Sequence, residues 1–211
     1  NDQTNFFFNI NDYKHDKRCI FAEDSYFVEY IVEEKSTSKK FLIKTLKNIN
    51  YVDEFSRTMI CKYPSILNIK GFSPVDIYGD KNPSILTDFY HITLHNYIKK
   101  ERKGTSNSTK TNDYIIILGI TIGLRHLQKN GIVHEFLLPS NILLDENFYP
   151  IIQNVELTKN LVYNVNAFGH RDLYVYESPE QFEGYETQAS NVFSYSFILY
   201  YLMMIWDNKK K

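Results

Sequence analysis

The sequence predicts an α+β chain of two lobes, a β-rich one followed by a helical one. Three observations carry this reading. Runs of β-branched and aromatic residues bounded by turn residues crowd the chain before Phe89, as half-buried strands do. From Tyr114 to Asn130 the apolar residues recur at helical spacing. From Ala189 to Trp206 the chain is apolar on nearly every face, the pattern of an enclosed helix.

Element by element, Tyr26–Glu34 and Lys40–Leu46 read as strands joined by the turn Ser36–Lys39. Asn50–Cys61 is a weaker helix, closed by Pro64, which cannot continue it. Ile66–Phe72 and Pro83–Phe89 are two further strands, linked by a loop carrying Pro74 and Gly79. Leu94–Lys100 is a short helix, and the polar stretch of about 102–113 reads as a solvated loop. Tyr114–Asn130 is the strong helix, with Gly131 at its C-terminal end. Ile142–Asp145 and Tyr149–Gln153 form a hairpin around Glu146-Asn147, and an irregular segment runs to Glu180. The expected divisions are an extension over 1–12, a first lobe over 13–88 and a second over 89–211.

Composition excludes several classes. With 24 Lys+Arg against 25 Asp+Glu, no global field points to nucleic acid or an anionic membrane. Cys19 and Cys61 show neither a disulfide framework nor a zinc spacing, which suits a reducing compartment. Asn1–Lys14 lacks the basic and apolar regions of a signal peptide. The most apolar run, Phe197–Trp206, is too short to span a bilayer. The expected location is the cytoplasm.

The densest signal is GIVHEFLLPSNILLDENFYP, Gly131–Pro150. It resembles the catalytic loop of eukaryotic protein kinases, matching without a gap at His134, Leu137, Pro139, Ser140 and Asn141. Other landmarks follow in order. FLIK, ending at Lys44, resembles the VAIK strand; PSILNIKGFSP resembles the segment after helix C; LTDFY resembles the hinge, with Thr87 as gatekeeper; ESPEQFEGYE resembles the APE segment; ASNVFSYSFILYYLM resembles the SDVYSFG helix. The likeness is greatest to Ser/Thr, tyrosine-kinase-like kinases of protists. It implies a two-lobed protein kinase-like fold with helix C near Asn50–Cys61 and an activation segment over about 154–180.

The resemblance also identifies what is missing. Phosphoryl transfer depends on positioning and on neutralising charge. The loop glycines that let backbone N–H groups approach phosphate fall at Ala22, Asp24 and Phe27, and no glycine precedes Gly71. The catalytic aspartate is Phe136, the catalytic-loop lysine is Leu138, and the magnesium-binding aspartate is Asn154. Leu42 replaces a small residue against adenine, and Glu29 falls where a valine covers the ring. Lys44, Glu54 as its helix-C partner, Thr87 and Asn141 remain as vestigial nucleotide-site positions. Lys44 also reads as an ordinary strand lysine, Glu54 as a solvated carboxylate, His134 as a packed core histidine and Asn141 as a loop brace. His170-Arg171-Asp172 spells the catalytic triplet but lies in the activation segment, without its continuation.

The expected function is a catalytically inactive pseudokinase, acting as a scaffold or allosteric binding module in signalling. No cofactor and no metal are expected; ATP and Mg²⁺ enter only under the alternative, a divergent Ser/Thr kinase with residual nucleotide binding. A second alternative is a non-functional paralogue, shortened after the SDVYSFG-type helix or cut from a longer chain. Glu180 is then expected to lack its arginine partner. The expected partners are proteins, either an active kinase or a second copy docked through 189–206, and not nucleic acid or membrane.

Overall fold

A computed structural model describes residues 6–16, 20–23, 27–47, 62–105, 108–155 and 175–208, with the backbone alone for 206–208. The helix expected at Asn50–Cys61, Glu54, Asp24 and the decoy triplet His170–Asp172 lie outside the described residues.

The first lobe is an antiparallel sheet. Its strands are β1 (Tyr13–Lys14), β2 (Ala22–Glu23), β3 (Phe27–Glu34), β4 (Lys40–Leu46), β5 (Ile69–Ser73) and β6 (Ser84–Asp88). They lie in the order β1-β3-β4-β6-β5, with β2 also paired to β3. β4 is central and covered on both faces, so six of its seven residues are buried. Alternation divides its side chains. Phe41 and Ile43 join Tyr30, Val32 and Leu86 in a cluster on the outer face. Leu42, Lys44 and Leu46 point to the opposite face, where Leu46 packs with Phe27, Ile69 and Ile85.

The segment before β1 belongs to this packing. Phe7 forms a parallel bridge with Phe72, and the Phe8 N–H donates to the Phe72 carbonyl at 3.1 Å. From that edge the chain crosses the outer face, where Phe8 meets Tyr13 and Tyr13 meets Phe41, both edge-to-face at 5.9 Å. It ends in β1 on the opposite side of the sheet.

The second lobe begins with β7 (Ile92–Thr93), then α1 (Leu94–Arg102), α2 (Lys110–Lys129), β8 (Ile142–Leu144), β9 (Pro150–Ile152), α3 (Pro179–Phe182) and α4 (Gln188–Asn208). The polar stretch is shorter than the sequence suggests. α2 starts at Lys110 because Thr109 and Asn112 cap each other reciprocally, and α1 continues to Arg102. Two glycines let α2 lie on β9. A Cβ on Gly119 would sit 2.4 Å from Pro150, and one on Gly123 would sit 2.8 Å from Ile152. This close approach offsets the cost of about 1 kcal/mol that each glycine brings to a helix interior.

α4 is buried on one face only. Its apolar character goes all round, but its burial does not. Asn191, Ser194, Ile198, Leu202 and Ile205 face inward, while Val192, Tyr200, Met203 and Met204 are exposed. The inward face meets α1 and α2, two elements that cover one side of a helix. Among the described residues no helix is long and apolar enough to cross a membrane.

Candidate functional site

Lys44 stands on the face of β4 turned away from the outer cluster, and through Asn154 its side chain is tied to the loop Ile132–Asn141. Its position on β4 is opposite Glu29 on one side and Ile85 on the other. The side chain is buried, 5% exposed. Burial of an ammonium needs acceptors nearby. One is the Asn154 Oδ1 atom, 2.6 Å from Nζ. The Phe27 ring adds a cation–π contact, its centroid 3.9 Å from Nζ.

This contact sets the orientation of two amides in series. Lysine can only donate, so Asn154 turns its oxygen to Lys44 and its nitrogen away. That nitrogen donates to Asn141 Oδ1 at 2.9 Å. Asn141 in turn donates from Nδ2 to the Phe136 carbonyl at 2.8 Å. Asn154 reaches this place with a left-handed backbone, φ 62°, which asparagine tolerates better than most residues. The chain Lys44–Asn154–Asn141–Phe136 thus links the central strand to the loop beneath.

His134 holds that loop from behind. It is 1% exposed, with Nε2 2.9 Å from the Gln153 carbonyl and Nδ1 accepting from the Phe136 N–H at 3.2 Å. The two contacts fix the neutral tautomer with its proton on Nε2. The Phe136 ring packs against the cluster of Phe27, Leu46, Ile69 and Ile85. Leu138 stands immediately before the 3-10 turn Pro139–Asn141. Thr87 lies opposite Leu42 on β6; its hydroxyl is buried, with no hydrogen-bond partner among the described residues. Among the described residues, no group of three His, Cys, Asp or Glu side chains is placed to hold a metal ion.

The structure therefore brings together Lys44, Phe136, Asn141 and Asn154, sets Thr87 two strand positions from Lys44's neighbour Ile85, and leaves Glu54 undescribed. Three features escaped the sequence reading. The Lys44–Asn154 contact was not anticipated, although an amide three residues beyond β9's Ile151 is a readable acceptor. The Phe27 ring, expected only as the replacement of a loop glycine, forms a face for the ammonium. Glu180, expected to lack an arginine partner, accepts instead from the Ser190 hydroxyl at 3.0 Å, a contact the sequence reading did not name. The Glu180 carboxyl is held below the ordinary glutamate range, first by its own backbone N–H at the start of α3 and then by Ser178, with Ser190 adding to them.

A twisted sheet over a helical lobe, with a strand lysine reaching a loop amide between them, defines a two-lobed cleft protein. The chain belongs to the protein tyrosine and serine/threonine kinase family, whose description matches residues 25–208. Among its relatives in Arabidopsis thaliana, a probable receptor-like protein kinase is 30% identical over 133 residues, 59% of this chain and 16% of that protein. A PR5-like receptor kinase is 29% identical over 72% of this chain and 23% of its own length. A LEAF RUST 10 disease-resistance locus receptor-like protein kinase-like protein is 26% identical over 82% of this chain and 28% of its own. The chain thus spans less than a third of each of these relatives.

Proposed function

We propose that this kinase-fold chain is a pseudokinase, a module that presents surfaces to protein partners and transfers no phosphate. The observation that carries this reading is the state of Lys44, which lies under the Phe27 ring and bonded to Asn154. In an active relative the lysine is expected to reach nucleotide phosphates. Here an aromatic ring stands over the ammonium, and phosphates would have to displace it.

The residues present do not fit Mg²⁺ and a nucleotide. Of the two metal-binding positions, Asn141 keeps the amide the family uses, but Asn154 puts a second amide where the family has an aspartate, and the two are bonded to each other at 2.9 Å. Magnesium favours carboxylate oxygens, and a neutral amide compensates its charge poorly. Phe136 can neither accept a proton nor orient a hydroxyl, and its ring packs into the apolar cluster. The partners in this reading are proteins, an active kinase or a second copy meeting the exposed residues of α4, in the cytoplasm.

A thermal-shift titration to millimolar Mg·ATP tests the reading. A ligand at 100 times its Kd stabilises a fold by about 2.7 kcal/mol. The expected result is no shift in melting temperature. A saturable rise would overturn the reading and favour a divergent kinase with residual nucleotide binding.

A further inference from the structure

Residues Phe6–Phe8 lie outside the region the family description matches, yet they clasp the sheet at the β5 edge. The Phe72 N–H donates to the Phe6 carbonyl at 2.9 Å, and the Phe8 N–H donates to the Phe72 carbonyl at 3.1 Å. One residue of β5 thus gives both its backbone groups to this segment, as an edge strand does to an added peptide. The side chains divide between the two faces. Phe6 packs on the cluster of Phe27, Leu46, Ile69 and Ile85; Phe8 packs on the outer-face cluster. Phe7 stays 62% exposed at the rim, edge-to-face with Phe72 at 6.0 Å.

Gly71 makes the room. A Cβ there would meet Phe8 at 3.1 Å and the Phe6 carbonyl at 3.2 Å, closer than ordinary van der Waals contact. The edge beside β5 therefore has the parts of a peptide site: paired backbone groups, a place for one ring on each face, and a glycine that lets the peptide approach. The cluster that receives Phe6 also receives Phe136 from the loop beneath the sheet.

We propose that the β5 edge is a binding site for an aromatic-x-aromatic peptide that straddles the edge with one ring on each face, filled here in cis by Phe6–Phe8, and that its occupancy steadies Phe136 through the shared cluster. The site stands independently of the pseudokinase reading, because it lies at the sheet edge and needs no statement about phosphate transfer.

The test uses the full chain with Phe6→Ser and Phe8→Ser together, and a labelled peptide of residues 1–11 as the probe. The folded variant is expected to bind the peptide saturably, while the unaltered chain, already filled, binds it at least about tenfold more weakly. A peptide carrying the same two serines is expected not to bind. Hydrogen exchange at Phe136 and Asn141 should rise in the variant and fall again when the peptide is added. A folded variant that ignores the peptide, or an unaltered chain that binds it equally well, overturns the site. Unchanged exchange at Phe136 overturns the coupling. Gly71→Ala in the unaltered chain is the second variant, because it crowds the clasp without touching its rings. If both variants fail to fold, the segment is core and not ligand, and the proposal falls.

Discussion

The floor and the roof of the cleft differ in what holds them. The floor, from His134 to Asn154, is a polar lattice in which each buried donor meets a named acceptor: His134 with Gln153, Asn141 with Phe136, Asn154 with Asn141. The roof is apolar. Phe27 lies over Lys44 and packs with Leu46, Ile69 and Ile85, and Leu42 faces Thr87, whose hydroxyl has no partner among the described residues. Polar groups buried together must remain satisfied, so the floor tolerates little change. An apolar cluster asks only for volume and shape.

The roof should give the largest response. Phe27→Ala removes a ring that is 3% exposed and lies over Lys44. Truncations of buried phenylalanine cost about 3–5 kcal/mol, and the lost cation–π contact belongs to the same measurement. Urea unfolding, followed by circular dichroism, reads the loss as a lower midpoint with an unchanged slope. A cost under about 1 kcal/mol would mean that the ring does not hold the roof.

The floor comes next. His134→Ala leaves the Gln153 carbonyl and the Phe136 N–H without their partner. Each unsatisfied buried group costs about 1–3 kcal/mol, and water entering the vacated space recovers part of it. We expect a loss of about 2–3 kcal/mol by the same unfolding measurement. His134→Gln, which can still donate to Gln153, should lose less. Equal losses for the two substitutions would show that packing, not bonding, fixes this loop.

The floor was also the more legible half in the sequence. His134 and Asn141 fall in the ungapped stretch Gly131–Pro150 and Asn154 lies four residues beyond it, so the family resemblance alone placed the three together. Strands β3, β4 and β6 were equally readable, because alternation and turn residues are local signals. What escaped depends on partners distant in sequence. FFFN at the start carries no sign that Phe72 will pair with it, since strand pairing is set by neighbours the segment itself does not specify. The burial of α4 on one face only was hidden for a related reason: an all-apolar helix records no preferred side. The start of α2 was readable but unread, because Thr109-x-x-Asn112 uses asparagine where glutamate or glutamine is the usual signal.

A smaller effect separates the cleft from the α3–α4 junction. Glu180 has a depressed pKa, so its contribution to stability is present above the ordinary glutamate value and is lost as pH falls through the depressed one. Ser190→Ala deletes the last-ranked of the causes that lower it. The acid limb of the stability profile should therefore move upward in pH slightly, with no change near neutrality beyond that of the lost hydroxyl contacts. An acid limb that does not move would assign the depression to the α3 backbone and Ser178 alone.

The smallest expected effect tests whether the Lys44 bridge is electrostatic or geometric. Asn154→Asp brings a carboxylate to 2.6 Å from the ammonium, and a charge-assisted bond is stronger than a neutral one. The same change removes the amide hydrogen that Asn141 Oδ1 receives, so two acceptor oxygens would face each other where a 2.9 Å bond now stands. Asn141 can relieve this by turning its amide over, but its nitrogen then leaves the Phe136 carbonyl. One bond is strengthened and one is lost on either path, at about 1 kcal/mol each in opposite directions. The melting temperature should accordingly stay within a few degrees of the unaltered chain. If the variant instead gains well over 1 kcal/mol, charge governs the bridge and asparagine at this position weakens the fold. Added Mg²⁺ provides a second readout on the same sample: a melting temperature that stays flat with the ion is expected, because one carboxylate and one amide hold a hard cation weakly without a nucleotide's phosphates, and Phe27 still covers the lysine that would meet them.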